Sequence, residues 1–106
     1  MSYLVEDGET LKIREELRGY HHGQKDLRLL ASDAAGNTVG GIDFSEYDGV
    51  PHIDMVMVRD ANKRRGAGSQ LIDYLAKTYE YKNIKWGMLT DEGAALKRAM
   101  DKKYGM

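Results

Sequence analysis

The chain is 106 residues long, 42% hydrophobic and 31% charged, with a formal net charge of −1 and no cysteine. A chain of this size makes one domain with a modest core, burying roughly 60–70% of the surface it exposes when unfolded, and near-neutrality removes a general pull toward nucleic acid or an anionic membrane. Without cysteine there is no disulfide framework, thiolate metal site or cysteine nucleophile, and without an apolar run long enough for a signal peptide or a membrane span the chain reads as cytoplasmic.

The stretch "EDGET", residues 6–10, carries the Asp-Gly of a tight turn, and "LKIREELRG" alternates Leu11, Ile13 and Leu17 with polar residues at near-strand period. The polar "RGYHHGQKD", 18–26, interrupts that pattern. "LRLLAS", "DAAGN" and "TVGGIDFSE" then predict strand, turn and strand, and "YDGVP", with the lone proline Pro51, turns into "HIDMVMV". These last three strands form an antiparallel meander. After Gly66 and Gly68 the apolar period changes from two to 3.6, placing Leu71, Ile72, Leu75, Ala76 and Tyr79 on one face of a helix with Asp73, Lys77 and Glu80 opposite. "IKWGML", 84–89, predicts a short strand with Ile84, Trp86 and Met88 on its buried face, parallel to "HIDMVMV" because a helix separates the two. The last helix, "TDEGAALKRAMDKKYG", has Thr90 as N-cap, Asp91 and Glu92 in its first turn, Lys102 and Lys103 in its last, and an apolar stripe of Leu96, Ala99 and Met100. The expected fold is α/β with a mixed (α+β) sheet: an antiparallel β-meander followed by a helix, a parallel strand and a C-terminal helix, in a single domain over residues 1–106.

Charge is unevenly placed along this chain. Residues 38–58 hold Asp43, Glu46, Asp48 and Asp54 with no lysine or arginine, whereas the next seven hold Arg59, Lys63, Arg64 and Arg65 against Asp60. The basic run leads into Gly66-Ala67-Gly68 at the start of a helix, where unpaired first-turn N–H groups and the positive end of the dipole converge on one point. Glycines there let ligand oxygens approach the main chain, which suits a diphosphate. No Gly-Lys-Ser/Thr follows and no Gly-x-Gly-x-x-Gly is present, so neither a Walker loop nor a dinucleotide fingerprint is matched. A solvated basic turn is the alternative reading of the same residues.

The segment "VMVRDANKRRGAGSQLIDYL" resembles the acyl-CoA-binding segment of the GNAT N-acyltransferase superfamily, whose pattern is Gln/Arg-x-x-Gly-x-Gly/Ala after a strand ending in valine. Lys63, Arg65, Gly66, Ala67 and Gly68 fall in register, with Val58 at the strand end and Leu71 and Leu75 at the helix leucines, and "DAAGNTVGGIDF" extends the likeness over roughly residues 25 to 106. The resemblance implies acetyl-CoA as cofactor, its pyrophosphate held by Lys63, Arg64, Arg65, Gly66, Ala67, Gly68 and Ser69 and its pantetheine arm paired with Met57 and Val58 like an added strand. Lys63 stands where the family has Gln or Arg. The two helices usual between the family's first and second strands have no room in "RGYHHGQKD", and the chain stops at "KKYGM" where the family continues into two further strands. An uncompleted sheet edge leads to the expectation of a homodimer.

For chemistry, the resemblance puts His52 at the position of the family's catalytic base, and imidazole titrates close to neutral pH. Asp54 lies two residues on, hence on the same strand face, able to orient His52 or to act through water. Asp101 occupies the register of the family's thiolate acid, a tyrosine; Tyr104 is close but out of register. His21 and His22 lack an accompanying carboxylate cluster, so a polar loop accounts for them and no metal site is expected. The leading functional reading is an acetyl-CoA-dependent N-acetyltransferase acting on a primary amine, a small molecule or a protein lysine, drawn in by the acidic "DFSEYDGVPHID". A non-catalytic acyl-CoA-binding or protein-interaction module on the same scaffold is the alternative. A nucleic-acid binder using "NKRRG" ranks third, since only patches of positive charge are available.

Overall fold

The structure is a computed structural model and describes residues 11–58, 66–87 and 90–106. The turn expected in "EDGET", the basic run from Arg59 to Arg65 and the Met88-Leu89 end of the last predicted strand lie outside the described residues. The elements are β1 (Lys12–His21), β2 (Gln24–Ser32), β3 (Thr38–Tyr47), β4 (Val50–Val58), α1 (Ala67–Tyr79), a 3-10 turn (Tyr81–Asn83), β5 (Lys85–Trp86) and α2 (Asp91–Lys103). The sheet order is β1-β2-β3-β4-β5, with the first four strands antiparallel and β5 parallel to β4. This is the mixed sheet with two helices that the sequence predicts.

The meander has four antiparallel strands, however, and not three. β1 and β2 stay paired to His21↔Gln24, so "RGYHHGQKD" is a hairpin where the sequence pattern suggested an interruption. His22 and Gly23 both have positive φ, 50° and 79°, as a two-residue primed turn demands. His22 fills a position where Asn or Asp is usual, which hides the turn in the sequence. His21 belongs to β1, and the two histidines do not share a loop.

Period-two alternation sorts the strands into two faces. Leu27, Leu29 and Ala31 of β2 and Ile42 and Phe44 of β3 are buried. Asp26, Arg28, Asp43 and Ser45 stand on the other side. α1 brings Leu71, Ile72 and Leu75 onto the buried face, and Met100 of α2 joins the same core with Ile53, Tyr81 and Ile84. At roughly 1.5–3 kcal/mol for each fully buried Leu, Ile or Met side chain, α1 is the main clamp on the sheet.

One irregularity in the last strands positions the site. β4 pairs with β3 at Phe44↔Ile53 and again at Asp43↔Met55, leaving Asp54 as an extra residue, a β-bulge. The inward positions of β4 change from Pro51 and Ile53 to Val56 and Val58. Among the described residues β5 pairs at His52↔Lys85 and Ile53↔Trp86, and Gly87 N–H donates to the Ile53 carbonyl at 3.0 Å. Ile84 is buried ahead of the strand, and Trp86 is half-buried against the core.

The C-terminus is secured by a polar clasp. The rings of Tyr81 and Tyr104 stack with centroids 4.5 Å apart. Tyr81 donates to Asp101 Oδ1 at 2.6 Å, Lys97 Nζ donates to Asp101 Oδ2 at 2.8 Å, and Tyr104 donates to Asp73 Oδ1 at 2.6 Å. The hydrogen bond from Lys97, followed by that from Tyr81, holds the Asp101 carboxyl below its ordinary value, while burial pushes the Tyr81 hydroxyl up. A depressed carboxylate stabilises the fold above the unfolded carboxylate range and loses that contribution as pH falls through its lowered value. Asp101→Asn is therefore expected to melt below the parent at pH 7, with the gap closing as the pH drops past 3.8, the ordinary aspartate value. A gap of constant size in thermal melts across that range would show that packing, not ionisation, sets the role of Asp101.

Candidate functional site

The two helices begin in opposite ways. Thr90 caps α2, its Oγ1 accepting from Gly93 N–H at 3.1 Å, and Asp91 and Glu92 lie in the first turn. α1 starts at Gly66, in the left-handed region at φ 74°, with no side-chain cap and no acidic residue in its first turn. Its first helical bond runs from Gln70 N–H to the Gly66 carbonyl at 2.9 Å. The N–H groups of Ala67, Gly68 and Ser69 precede that bond and have no acceptor within the helix. With the dipole behind them they form a seat for an anion. Lys63, Arg64 and Arg65, expected at its rim, lie outside the described residues.

This seat opens into a cleft of about 340 Å³ lined by Val56 and Val58 of β4, Gly66, Gly68 and Ser69 at the start of α1, and Gly93 and Leu96 of α2. A Cβ at Gly68 would stand 3.1 Å from Leu96 Cδ2 and 3.7 Å from Val58 Cγ2. The absent side chain is what lets the helix end, the strand and α2 meet around an open space. Among the described residues β5 pairs with β4 no further than Ile53, and the Val56–Val58 stretch of β4 borders the cleft. Met57 itself turns its side chain to the other face, 38% exposed.

His52 and Asp54 share that other face, as their spacing predicts, and both are exposed. The hydrogen bond recorded for Asp54 is to Ser45, whose Oγ lies 2.9 Å from Asp54 Oδ2 and 3.1 Å from Asp26 Oδ1. Asp54 thus has Ser45 as a partner; the sequence reading offered it as orienting His52 or acting through water. One hydroxyl proton stands between two carboxylates. Gln24 Nε2 donates to Asp26 Oδ1 at 2.9 Å, and the Asp26 carboxyl is held below its ordinary value chiefly by that bond, with Ser45 and His21 adding to it. Asp43 is neutralised separately, by Arg28 through Nε at 2.6 Å and NH2 at 3.1 Å and by Arg18 at 3.3 Å. A depression of about 280 Å³ between Gln24, Ser45, Tyr47, His52 and Asp54 sits over this network. Asp26, Ser45 and Gln24 were missed from sequence because only the register Asp26↔Ser45↔His52 brings them together.

The proton donor sought on α2 is not available there. Asp101 is held as a carboxylate by Lys97 and Tyr81, and the Tyr104 hydroxyl, donating to Asp73, is pushed up to about 12. Among the described residues no group of three or more His, Asp or Glu side chains is placed to hold a metal ion, and no helix is long and apolar enough to cross a membrane.

A strand edge, an uncapped glycine-started helix and a narrow cleft between them thus lie side by side. A family model described as "Acetyltransferase (GNAT) domain" matches residues 6–97, and the chain belongs to that family. Acyl-CoA-dependent acetyl transfer is the chemistry this family membership supports. Comparisons with curated proteins and with solved structures gave no significant match.

Gly68→Val is expected to displace Leu96 and narrow the cleft, lowering coenzyme A affinity about ten- to hundredfold, equivalent to the roughly 1–3 kcal/mol of a typical overpacking substitution. Calorimetric titration checks this. Unchanged affinity would move the cofactor away from the start of α1.

Proposed function

We propose that residues 1–106 form one acyl-CoA-binding unit acting as an N-acetyltransferase, with a primary amine as acceptor: a small cationic molecule or a protein lysine. The observation that carries this reading is the cleft between the Val56–Val58 stretch of β4 and the uncapped start of α1. Backbone N–H groups from Gly66 to Ser69, with Lys63, Arg64 and Arg65, would hold the pyrophosphate, and the edge at Met57 and Val58 would hold the pantetheine arm. The lack of a side chain at Gly68 and of any acid in the first turn of α1 suits that group. When bound, acyl-CoA supplies a thioester whose carbonyl carbon bonds the amine nitrogen as the carbon–sulfur bond breaks, the electron pair leaving on sulfur and a proton leaving nitrogen.

The chain's own residues handle the acceptor. Asp26 and Asp54 provide negative charge on the open face for a cationic amine to approach, and Ser45 fixes the spacing between them. His52, in the same depression, is the group proposed to take the ammonium proton. The alternative, a binding module without turnover, draws support from the end of the last helix, where Asp101 and Tyr104 are engaged in the clasp.

Coenzyme A at 100 times its Kd is expected to stabilise the fold by about 2.7 kcal/mol and to raise Tm by roughly 10 °C or more. A melt unmoved by coenzyme A, with no heat on titration, removes both the enzyme and the binding-module readings. His52→Ala is expected to lower turnover on the order of 10²- to 10⁴-fold with coenzyme A affinity nearly intact, measured as thiol release from acetyl-CoA with a screened panel of polyamines and lysine-bearing peptides. Parental turnover in the variant from pH 6 to 9 would transfer the base role to Asp54 acting through water.

A further inference from the structure

We propose that an apolar recess beside the cofactor cleft receives the acyl chain, so that thioesters longer than acetyl are also bound, and more tightly; this rests on the acyl-CoA reading above. The recess measures about 420 Å³ and is walled by Leu30, Val56, Met57 and Val58 over Gly40 and Gly41. It shares Val56, Val58 and the exposed Glu92 with the cofactor cleft. The two spaces therefore meet at Val56 and Val58, beyond the last β5 pairing among the described residues, and a chain carried to that edge can pass round it.

Register explains why this end of the open face is apolar. Leu30 pairs with Gly41 and Gly41 with Met57, so the three lie in one row across β2, β3 and β4. A Cβ at Gly41 would stand 2.9 Å from the Leu29 carbonyl oxygen and 3.3 Å from Leu30 Cδ2, while one at Gly40 would face the helix side, 3.5 Å from Ala67 Cβ and from Val58 Cγ2. The floor of the recess is thus bare backbone, flanked by two flexible hydrophobic side chains. The next row holds Arg28, Asp43 and Met55, and the row beyond it Asp26, Ser45 and His52.

The open face is in this way divided by chemistry. An alkyl chain offers no donor to the carboxylates at the polar end and is favoured where water is displaced from Leu30, Met57 and the valines. A cationic amine is favoured at the other end, beside Asp26 and Asp54. The bulge at Asp54 and Met55 lies between the two. Leu30, which touches neither the anion seat nor the polar network, is the residue assigned to chain-length selection.

The test is calorimetric titration of the full chain with coenzyme A and with its acetyl, butyryl and hexanoyl thioesters. Affinity is expected to rise by about fourfold per added methylene where the methylene is fully buried, and Leu30→Gln is expected to flatten that rise while leaving the affinity for coenzyme A itself unchanged. Affinity that is level from acetyl to hexanoyl overturns the acyl recess alone. A rise that persists undiminished in Leu30→Gln overturns its location. Coenzyme A that fails to bind the parent overturns the cofactor reading and the recess with it.

Discussion

Between Ile53 and Met55, β4 carries one residue more than β3 can pair with, and the form of the site follows from that insertion. Because side chains alternate along a strand, an extra residue exchanges the faces of everything after it. Val56 and Val58 turn toward the helices and line the cleft, while Met55 and Met57 turn outward. Were Asp54 kept in regular alternation and not bulged, Met55 and Met57 would turn toward the helices and Val56 and Val58 toward the open face. The same irregularity coincides with the last β4–β5 pairing among the described residues, at Ile53. A strand edge that continued to be paired could not accept an extended ligand.

Local stability is forgone where that edge meets α1. A side-chain N-cap is typically worth about 1 kcal/mol, and α2 has one in Thr90. α1 has instead a left-handed glycine and three N–H groups without helical acceptors. Violations of local rules of this kind collect at functional positions, because a donor already satisfied by its own chain cannot serve a ligand. The cost is offset by the burial of Leu71, Ile72 and Leu75, which fixes the helix whatever its first turn contacts.

The sequence disclosed those parts of the molecule that depend on neighbours in the chain. The helix over 67–79 follows from apolar spacing, the Thr90 cap from its place before Asp91 and Glu92, and the parallel β4–β5 pairing from the helix between them. The parts that depend on register were not legible. Nothing in "HIDMVMV" marks Asp54 as a bulge, since no glycine or proline stands there and the unbroken apolar run Met55–Val58 after it fits either facing. His22-Gly23 was missed as a turn because a polar, charged surround masks a strand that is exposed on both sides at its tip. Asp26 is 28 residues from Asp54 in sequence, and only the pairing of β2, β3 and β4 puts both against Ser45.

Two proton requirements in the proposed reaction can be weighed against each other. Side-chain thiols titrate near ~8.5 and lysine ammonium groups near ~10.4. At pH 7, releasing an unprotonated thiolate costs about 2 kcal/mol, whereas freeing an ammonium of its proton costs about 4.6 kcal/mol. The larger demand therefore lies on the acceptor side, and α2 can commit Asp101 and Tyr104 to the clasp with comparatively little loss. The acceptor side carries a tension of its own: carboxylates that draw in a cationic amine also hold its proton in place. Gln24, Ser45 and His21 relieve part of that charge at Asp26, and Arg18 and Arg28 neutralise Asp43 outright. What remains on the face is the negative charge of Asp26 and Asp54, with the His52 imidazole at its margin.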